Sequence, residues 1–491
     1  MNDLLPRGIE RVVIVVFDGL RPDLVGPDTT PNLHRFCEQG ASFTEARSVF
    51  PSMTRVCSSS IATGAPPAVH GIVGNAFFWP EGAADRLLDL DKIENFRRFA
   101  QAGVPALTAP TFADMLGASG KRLAIAHGGS TGATFALAPH AAGNGHWVYN
   151  TRGPEATVTP EAGHAMRARF GPDPAREVPL FDVVDRVADV FVEHVLARLE
   201  PDVALAWFPE PDTSFHFVGL GAPETLAVLA RCDAQLGRIL DALESRGWLE
   251  RTAVMVLSDH GQITVTQQVP LFEQLLRAGF ATAADVAEDP VLLGVGGSAG
   301  ELRVRNGEVR TRDRVVAWLQ EQPCIGHLFT RDVNGIEGEA SGTLSLRLVG
   351  MDHARAPDIA FSLLSSTEPD AYGLPGTGLF KSGVPVGGGL HGGLNPYEMA
   401  TVLMLGGPGV VAGQQIAAPA GLIDIAPTVL ALLGLEIPPT MVGQPLAAAF
   451  GAPPLPWREV VAQASRGSYR QEVRARRVAG AAYLMEGRVG R

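Results

Sequence analysis

Asp212 and His216 stand four positions apart in EPDTSFH (210–216), so on a helical turn their side chains face one way and can share a metal ion. Asp259 and His260 are neighbours in VMVLSDHG, where one loop can present both to a metal. His391 lies in the glycine run GGGLHGGLNP, which lets backbone and ligand approach closely. Asp18 closes the apolar run RVVIVVF, and Thr54 in VFPSMTRVCSSSIATG offers a hydroxyl. Each feature alone has a plain structural reading: Asp18 as a turn or cap residue, Ser52 or Thr54 as a helix cap, Asp259-His260 as a hydrogen-bonded turn, the glycines as a loop. Together Asp18, Thr54, Asp212, His216, Asp259, His260 and His391 are seven oxygen and nitrogen ligands, enough for two metals with positions left for substrate and water.

These residues must be held by elements far apart in the chain. RVVIVVFDGLRPD (11–23) is a continuous β-branched run, the pattern of a strand buried on both faces of a parallel sheet, with Asp18 at its carboxyl end. KRLAIAHGG (121–129), PDVALAWFPEPD (201–212), RTAVMVLSDHG (251–261) and MATVLMLGG (399–407) repeat that form. Helical patterns fall between them at 30–40, 180–200 and 224–247. Strands alternating with helices predict a doubly wound α/β sheet, in which ligands bind beyond the carboxyl ends of the strands. Pro51-Ser52 opens a helix that places Thr54 near its amino end, where N–H groups and the helix dipole favour a phosphate. From about 268 to 385 the alternation weakens, and GELRVRNGEVRTRD (300–313) reads as part of a small hairpin-bearing insertion. The last 40 residues are Ala/Arg/Gly-rich and are expected either to pack on the surface or to be partly mobile.

The segments FDGLRPD, FPSMT, ATG followed by HGIVGN, EPDTSFH, LSDHG and LHGG occur in the order and near the spacing of the nucleotide pyrophosphatase/phosphodiesterase (type I phosphodiesterase) family, within the alkaline phosphatase superfamily. LIDIAPTVLALLGLEIPPTMVGQPL (422–446) resembles the end of the superfamily's core, and the resemblance covers about 10–265 and 388–447. It implies an alkaline phosphatase-like α/β core over 1–267 and 386–450, an inserted cap subdomain over 268–385 and an extension over 451–491. It implies two divalent metal ions, zinc before manganese or iron, with Asp18, Thr54, Asp259 and His260 on one and Asp212, His216 and His391 on the other. Thr54 would be the nucleophile, passing through a phosphothreonine, and Asn75, 21 positions later, would donate to a non-bridging phosphoryl oxygen.

The reaction this implies is hydrolysis of phosphodiester or pyrophosphate bonds; a phosphomonoesterase or phosphonoacetate hydrolase-like activity is the alternative, and a phosphomutase a more distant one. RLAIAHGGSTGATF (122–135) carries His127, Ser130 and Thr131 toward the substrate region with no lysine or arginine after its strand, which favours a diester. Arg55 departs from the aromatic or aliphatic residue that often follows the nucleophile, and reads either as a substrate contact or as a partner of solvent or a carboxylate. Cys57 lies near Thr54, but the Cys-x-Pro-x-Arg context of the superfamily's sulfatases is absent from CSSSI. Asp352-His353 has no counterpart in the family pattern and reads as a surface pair.

A net charge of −12 argues against a broad cationic surface for nucleic-acid polymers but leaves room for a local basic pocket, so a small phosphorylated substrate is expected, its charge met by local positive charge that metal ions can supply. The four cysteines (Cys37, Cys57, Cys232, Cys324) lack CxxC spacing and read as buried thiols. The amino terminus lacks the basic, apolar pattern of a signal peptide, and no apolar run is long enough to cross a membrane, so a cytoplasmic protein with no membrane partner is expected. A homo-oligomer is left open.

Overall fold

The computed structural model describes residues 5–6, 8–79, 84–280, 291–295, 297–381 and 383–491. Its centre is an eight-stranded mixed sheet, in the order Gln414–Ile416, Ala41–Phe43, Leu403–Gly406, Thr252–Leu257, Arg11–Phe17, Val203–Phe208, Leu123–His127, Trp147–Asn150. The last five of these run parallel. Alternation of side chains along Arg11–Phe17 divides the interior: Val12, Ile14 and Val16 enter one apolar core, Val13, Val15 and Phe17 the other. Helices Thr54–Thr63 and Ile425–Leu432 cover the first face, while Pro31–Gln39, Phe181–Val190 and Pro223–Ser245 cover the second. This is the doubly wound α/β arrangement that the alternating pattern predicts.

One reading needs correction. Leu403–Gly406, expected to repeat the parallel form, runs antiparallel to Thr252–Leu257 and to Ala41–Phe43. A strand covered on both faces is uniformly apolar in either direction, so its pattern carries no polarity. Around 300–313 a hairpin is present, Ala299–Val304 forming its second arm against Val291–Val295, and the turn Arg305–Gly307 then leads into helix Val309–Glu321.

The region after 268 builds a third apolar core from helices Leu271–Arg277 and Val309–Glu321 against strands Ala299–Val304, Ile325–Thr330 and Ile359–Leu363. Strand Ile263–Gln268, just after Asp259-His260, pairs with Pro375–Phe380 and with Gly389–Leu390, the strand that delivers His391. Two distant ligand segments are thereby fixed in one small sheet. The chain ends in an antiparallel meander, Trp457–Arg466, Tyr469–Val478 and Ala481–Gly490, whose Val473, Ala475, Tyr483 and Leu484 join the first core. Among the described residues no helix is long and apolar enough to cross a membrane.

Candidate active site

Three adjacent parallel strands end together and present three carboxylates. Asp18 directly follows the central strand, Asp259 follows Thr252–Leu257 on one side, and Asp212 opens helix Asp212–Val218 after Val203–Phe208 on the other. Backbone bonds lock these ends: Asp18 N donates to Phe208 O (3.1 Å) and Asp212 N to Asp18 O (3.0 Å). Gly19 N donates to Asp259 Oδ1 at 3.1 Å. Gly19 has φ +73°, and a Cβ there would press on Asp212 Cβ at 3.0 Å, so glycine lets the ends of Arg11–Phe17 and Val203–Phe208 close on each other.

The histidines converge on the same point. His260 Nε2 lies 3.3 Å from Asp259 Oδ2 and 3.5 Å from Asp18 Oδ1. His216 Nε2 and His391 Nε2 lie 3.3 and 3.6 Å from Asp212 Oδ1. Thr54, the first residue of helix Thr54–Thr63, places Oγ1 3.3 Å from His260 Nε2. All seven predicted ligands are thus brought together, in two groups: Asp18, Asp259 and His260, and Asp212, His260 and His391, with ligand atoms in each within 4.8 Å of one another. His260 belongs to both groups, and His216 joins the second through Asp212.

The donor set fits metal ions. Nδ1 faces a backbone carbonyl in each histidine: Gly389 O for His216 (2.7 Å), Ser52 O for His391 (2.7 Å) and Gly261 O for His260 (3.2 Å). That pattern assigns the ring proton to Nδ1 and leaves the Nε2 lone pairs aimed at the cluster. Asp18 Oδ1 and Asp259 Oδ2 are buried without a hydrogen-bond partner. Burial and the carboxylates of Asp259 and Asp212 push Asp18 well above the usual range, and burial pushes Asp259 up as well. Burial also raises Asp212, but His216, His391 and His260 outweigh it and hold this carboxylate below its ordinary value. Burial and His260 drive His391 well down, which favours the neutral imidazole. A pocket that crowds carboxylates and withholds their partners is stabilised by divalent cations.

Several residues essential to this geometry escape the sequence patterns. Ser52, a candidate cap, makes no cap bond; its N and O bond the His391 loop, and its Oγ accepts from Gly392 N (3.1 Å). Trp207 Nε1 donates to Asp18 Oδ2 at 2.9 Å. Gln262 donates its amide to Asp212. Asn75 Oδ1 accepts the N–H of Arg55 (3.0 Å), which orients the side-chain amide. Arg55 itself pairs with Asp91, the carboxylate alternative. Cys57 is buried at 3.3 Å from Ser48 Oγ, and burial pushes its thiol up. Asp352 is exposed, but His353 is half-buried and bonds Thr108 at 3.1 Å, bracing a neighbouring loop.

Glu398 carries the His391 loop: it is fully buried and accepts from Gly393 N, Asn395 N and Ser298 Oγ, while its own carbonyl accepts from Gly261 N. Glu398→Ala strands those donors and is expected to cost about 2 to 4 kcal/mol. Denaturant unfolding of the variant checks this, together with a metal titration, which should show weaker binding.

The profile of the type I phosphodiesterase / nucleotide pyrophosphatase family matches residues 12–333. An uncharacterized pyrophosphatase/phosphodiesterase of Schizosaccharomyces pombe is 24% identical over 251 residues, 51% of this chain and 44% of that protein. Human ectonucleotide pyrophosphatase/phosphodiesterase family member 5 is 22% identical over 263 residues, 53% of this chain and 46% of that protein. The matches therefore span about half the length of these curated relatives. The solved structure of the murine family member 5 superposes with a TM-score of 0.59 at 17% identity, covering 87% of this chain and 96% of that one. A mutant of the alkaline phosphatase PafA gives a TM-score of 0.67 at 16% identity, covering 91% and 99%, so the fold is alkaline phosphatase-like. With the profile running over most of the core that carries the clustered ligands, the chain belongs to the type I phosphodiesterase / nucleotide pyrophosphatase family.

Proposed function

We propose that this chain is a zinc-dependent hydrolase of phosphodiester or pyrophosphate bonds that works through a phosphothreonine on Thr54. The observation that carries the reading is the position of Thr54: a buried hydroxyl at the first turn of a helix, 3.3 Å from His260 Nε2 and inside the Asp/His cluster. Asp18, Thr54, Asp259 and His260 would hold one ion, and Asp212, His216 and His391 the other. Metal ions bound there supply a lowered hydroxyl pKa and positive charge for the phosphoryl oxygens.

The chain's own groups do the rest. Thr54 Oγ1 attacks phosphorus in line as the bond to the leaving oxygen breaks, and the hydroxyl proton ends on that leaving oxygen; water then breaks the Thr54–phosphate bond, its OH going to phosphorus and its proton restoring the Thr54 hydroxyl. The amino end of helix Thr54–Thr63 points its dipole at the transferred group. Asn75 Nδ2 donates to an equatorial oxygen, where charge builds in the transition state. Asn75→Ala is expected to lower kcat about 10- to 100-fold with a smaller change in KM, checked by steady-state kinetics on a nitrophenyl diester.

The substrate is a small phosphorylated molecule and not a nucleic-acid polymer, consistent with the net charge of −12. Incubating the zinc-loaded protein with bis-p-nitrophenyl phosphate and with a pyrophosphate-linked dinucleotide tests the reading. Release of nitrophenol or of nucleoside monophosphates supports it. Isomerised phosphosugar without hydrolysis would point instead to a phosphomutase, and no turnover with metal bound would remove the assignment.

A further inference from the structure

Positive charge from three separate segments gathers around the Gly128-Gly129 turn, beside the nucleophile. Arg176 donates to Gly128 O (3.0 Å) and Thr151 Oγ1 (3.3 Å), and Arg152 Nε donates to Gly129 O (3.3 Å). Arg55 reaches in from the residue after Thr54 and pairs with Asp91, whose carbonyl accepts from Thr131 Oγ1 (2.8 Å) and Gly132 N (3.1 Å) in the same turn. This turn adjoins the ligand cluster: a Cβ on Gly129 would lie 3.9 Å from Asp18 Oδ2. His127 just before it stacks on Trp207 at 5.0 Å, the residue that bonds Asp18. The segment that follows strand Leu123–His127, up to residue 135, carries no basic residue, yet the fold brings three arginines to it.

The cluster is under-compensated. Among the described residues one half-buried carboxylate, Asp91, pairs with Arg55 and also acts on Arg176; Glu210 acts on Arg176 as well but is buried, with its carboxyl pushed up to about 7 by that burial. Burial, then Arg152, pulls Arg176 down to about 10, and burial with Arg152, Arg176 and Arg55 pulls His127 down to about 3. Two donors are orphaned there. Arg55 Nε has no partner; His127 Nδ1 accepts from Gly129 N at 2.9 Å, so the ring proton sits on Nε2, which is fully buried and also unpartnered. Carbonyl contacts alone would be met by neutral donors. Surplus cations and idle N–H groups are retained at a cost that an anion removes.

We propose that Arg55, Arg152 and Arg176 form a subsite for a second anionic group of the substrate, removed from the phosphorus that Thr54 attacks. The proposal rests on the phosphoryl-transfer reading of Thr54 and deepens it: the substrate is a phosphoanhydride or phosphonate bearing a terminal phosphate or carboxylate, not a diester with two neutral arms. The guanidiniums bind that terminal group and set the distance between it and the reacting phosphorus.

The test compares zinc-loaded wild type with Arg152→Gln and with the double variant Arg152→Gln/Arg176→Gln, in which the amides can still donate to the turn carbonyls but the charge is gone. Values of kcat/KM are measured for bis-p-nitrophenyl phosphate, inorganic pyrophosphate and phosphonoacetate, with calorimetric affinities for methylenediphosphonate and methylphosphonate as a readout free of turnover. The expected result is that kcat/KM for pyrophosphate, for phosphonoacetate or for both falls at least about tenfold more than for the nitrophenyl diester, and that methylenediphosphonate loses its advantage over methylphosphonate by a like factor. Which of the two substrates responds separates a terminal phosphate from a terminal carboxylate. Equal losses across all probes, or none, overturn the subsite while leaving the Thr54 reading intact. Failure of wild type to turn over any of the three substrates removes both. Arg152 is exposed, so the single variant keeps the test informative if the double variant folds poorly.

Discussion

Thr54→Ala is expected to reduce kcat/KM on a phosphodiester by at least about 10^3-fold, the scale on which removal of a covalent nucleophile acts. The change deletes Oγ1 and little else. Thr54 makes its side-chain contact with His260, while the backbone of the helix start and the clamp between Ser52 and the His391 loop are independent of the hydroxyl. Six of the seven ligands remain, so zinc content and thermal stability should stay close to wild type. Loss of rate with metal retained separates a nucleophile from a residue that merely fills space. Thr54→Ser, which keeps an oxygen at the same place, should recover much of the activity. Stopped-time assays with metal analysis on the same samples check all three expectations.

Asp259→Asn is expected to weaken zinc binding at least about 10^2-fold and to lower activity in proportion at limiting metal, because even groups that only orient ligands cost 10- to 100-fold when removed. Asp259 Oδ2 has no other partner, and Oδ1 accepts from Gly19 N, so the side chain serves the cluster and the strand end together. The same carboxylates set a pH dependence. In the metal-free chain Asp18 and Asp259 have folded-state pKa values above the unfolded ones, so their contribution to stability is complete at low pH and is lost as pH rises from about 4 upward. Asp212 has the opposite sign and loses its contribution as pH falls below about 4. Zinc requires Asp18 and Asp259 as carboxylates, so binding expels their protons. The rise in Tm caused by zinc should therefore grow between about pH 5 and pH 8, with proton release seen by calorimetry in buffers of different ionisation enthalpy. A zinc-induced shift that is flat across this range would contradict the ligand assignment.

Much of the site was legible because its carboxylates sit at strand ends. A fully buried parallel strand is a run of apolar residues, and the first polar residue after it, Asp18 or Asp259, marks where the sheet meets solvent or ligand. The partners of these residues were not legible, since each contact joins distant positions: Trp207 meets Asp18 across 189 residues, and Ser52 meets Gly393 across 341. No local period encodes such pairs. Ser52 shows the consequence, since its place before a helix suggests a cap, whereas its bonds go to the His391 loop. Strand direction failed for a related reason at Leu403–Gly406, where burial on both faces erases the alternation that would distinguish neighbours. Arg152 and Arg176 lie in segments with no chemical signature, and only the fold carries them to the turn that Arg55 flanks. The helices at 31–39 and 223–245 stand close to their expected limits, whereas the helix expected over 180–200 is α-helical over Phe181–Val190 and continues as a π-helix over Phe191–Leu199.

The account stands on a covalent step at Thr54, and the stereochemical course at phosphorus tests it most directly. A substrate made chiral at phosphorus by isotopic or sulfur substitution is hydrolysed by the zinc-loaded enzyme, and the configuration of the product is read by NMR. Attack by Thr54 followed by attack of water inverts phosphorus twice, so net retention is predicted. Net inversion would mean that water strikes phosphorus directly, and Thr54 would then be a ligand or a filler in place of a nucleophile.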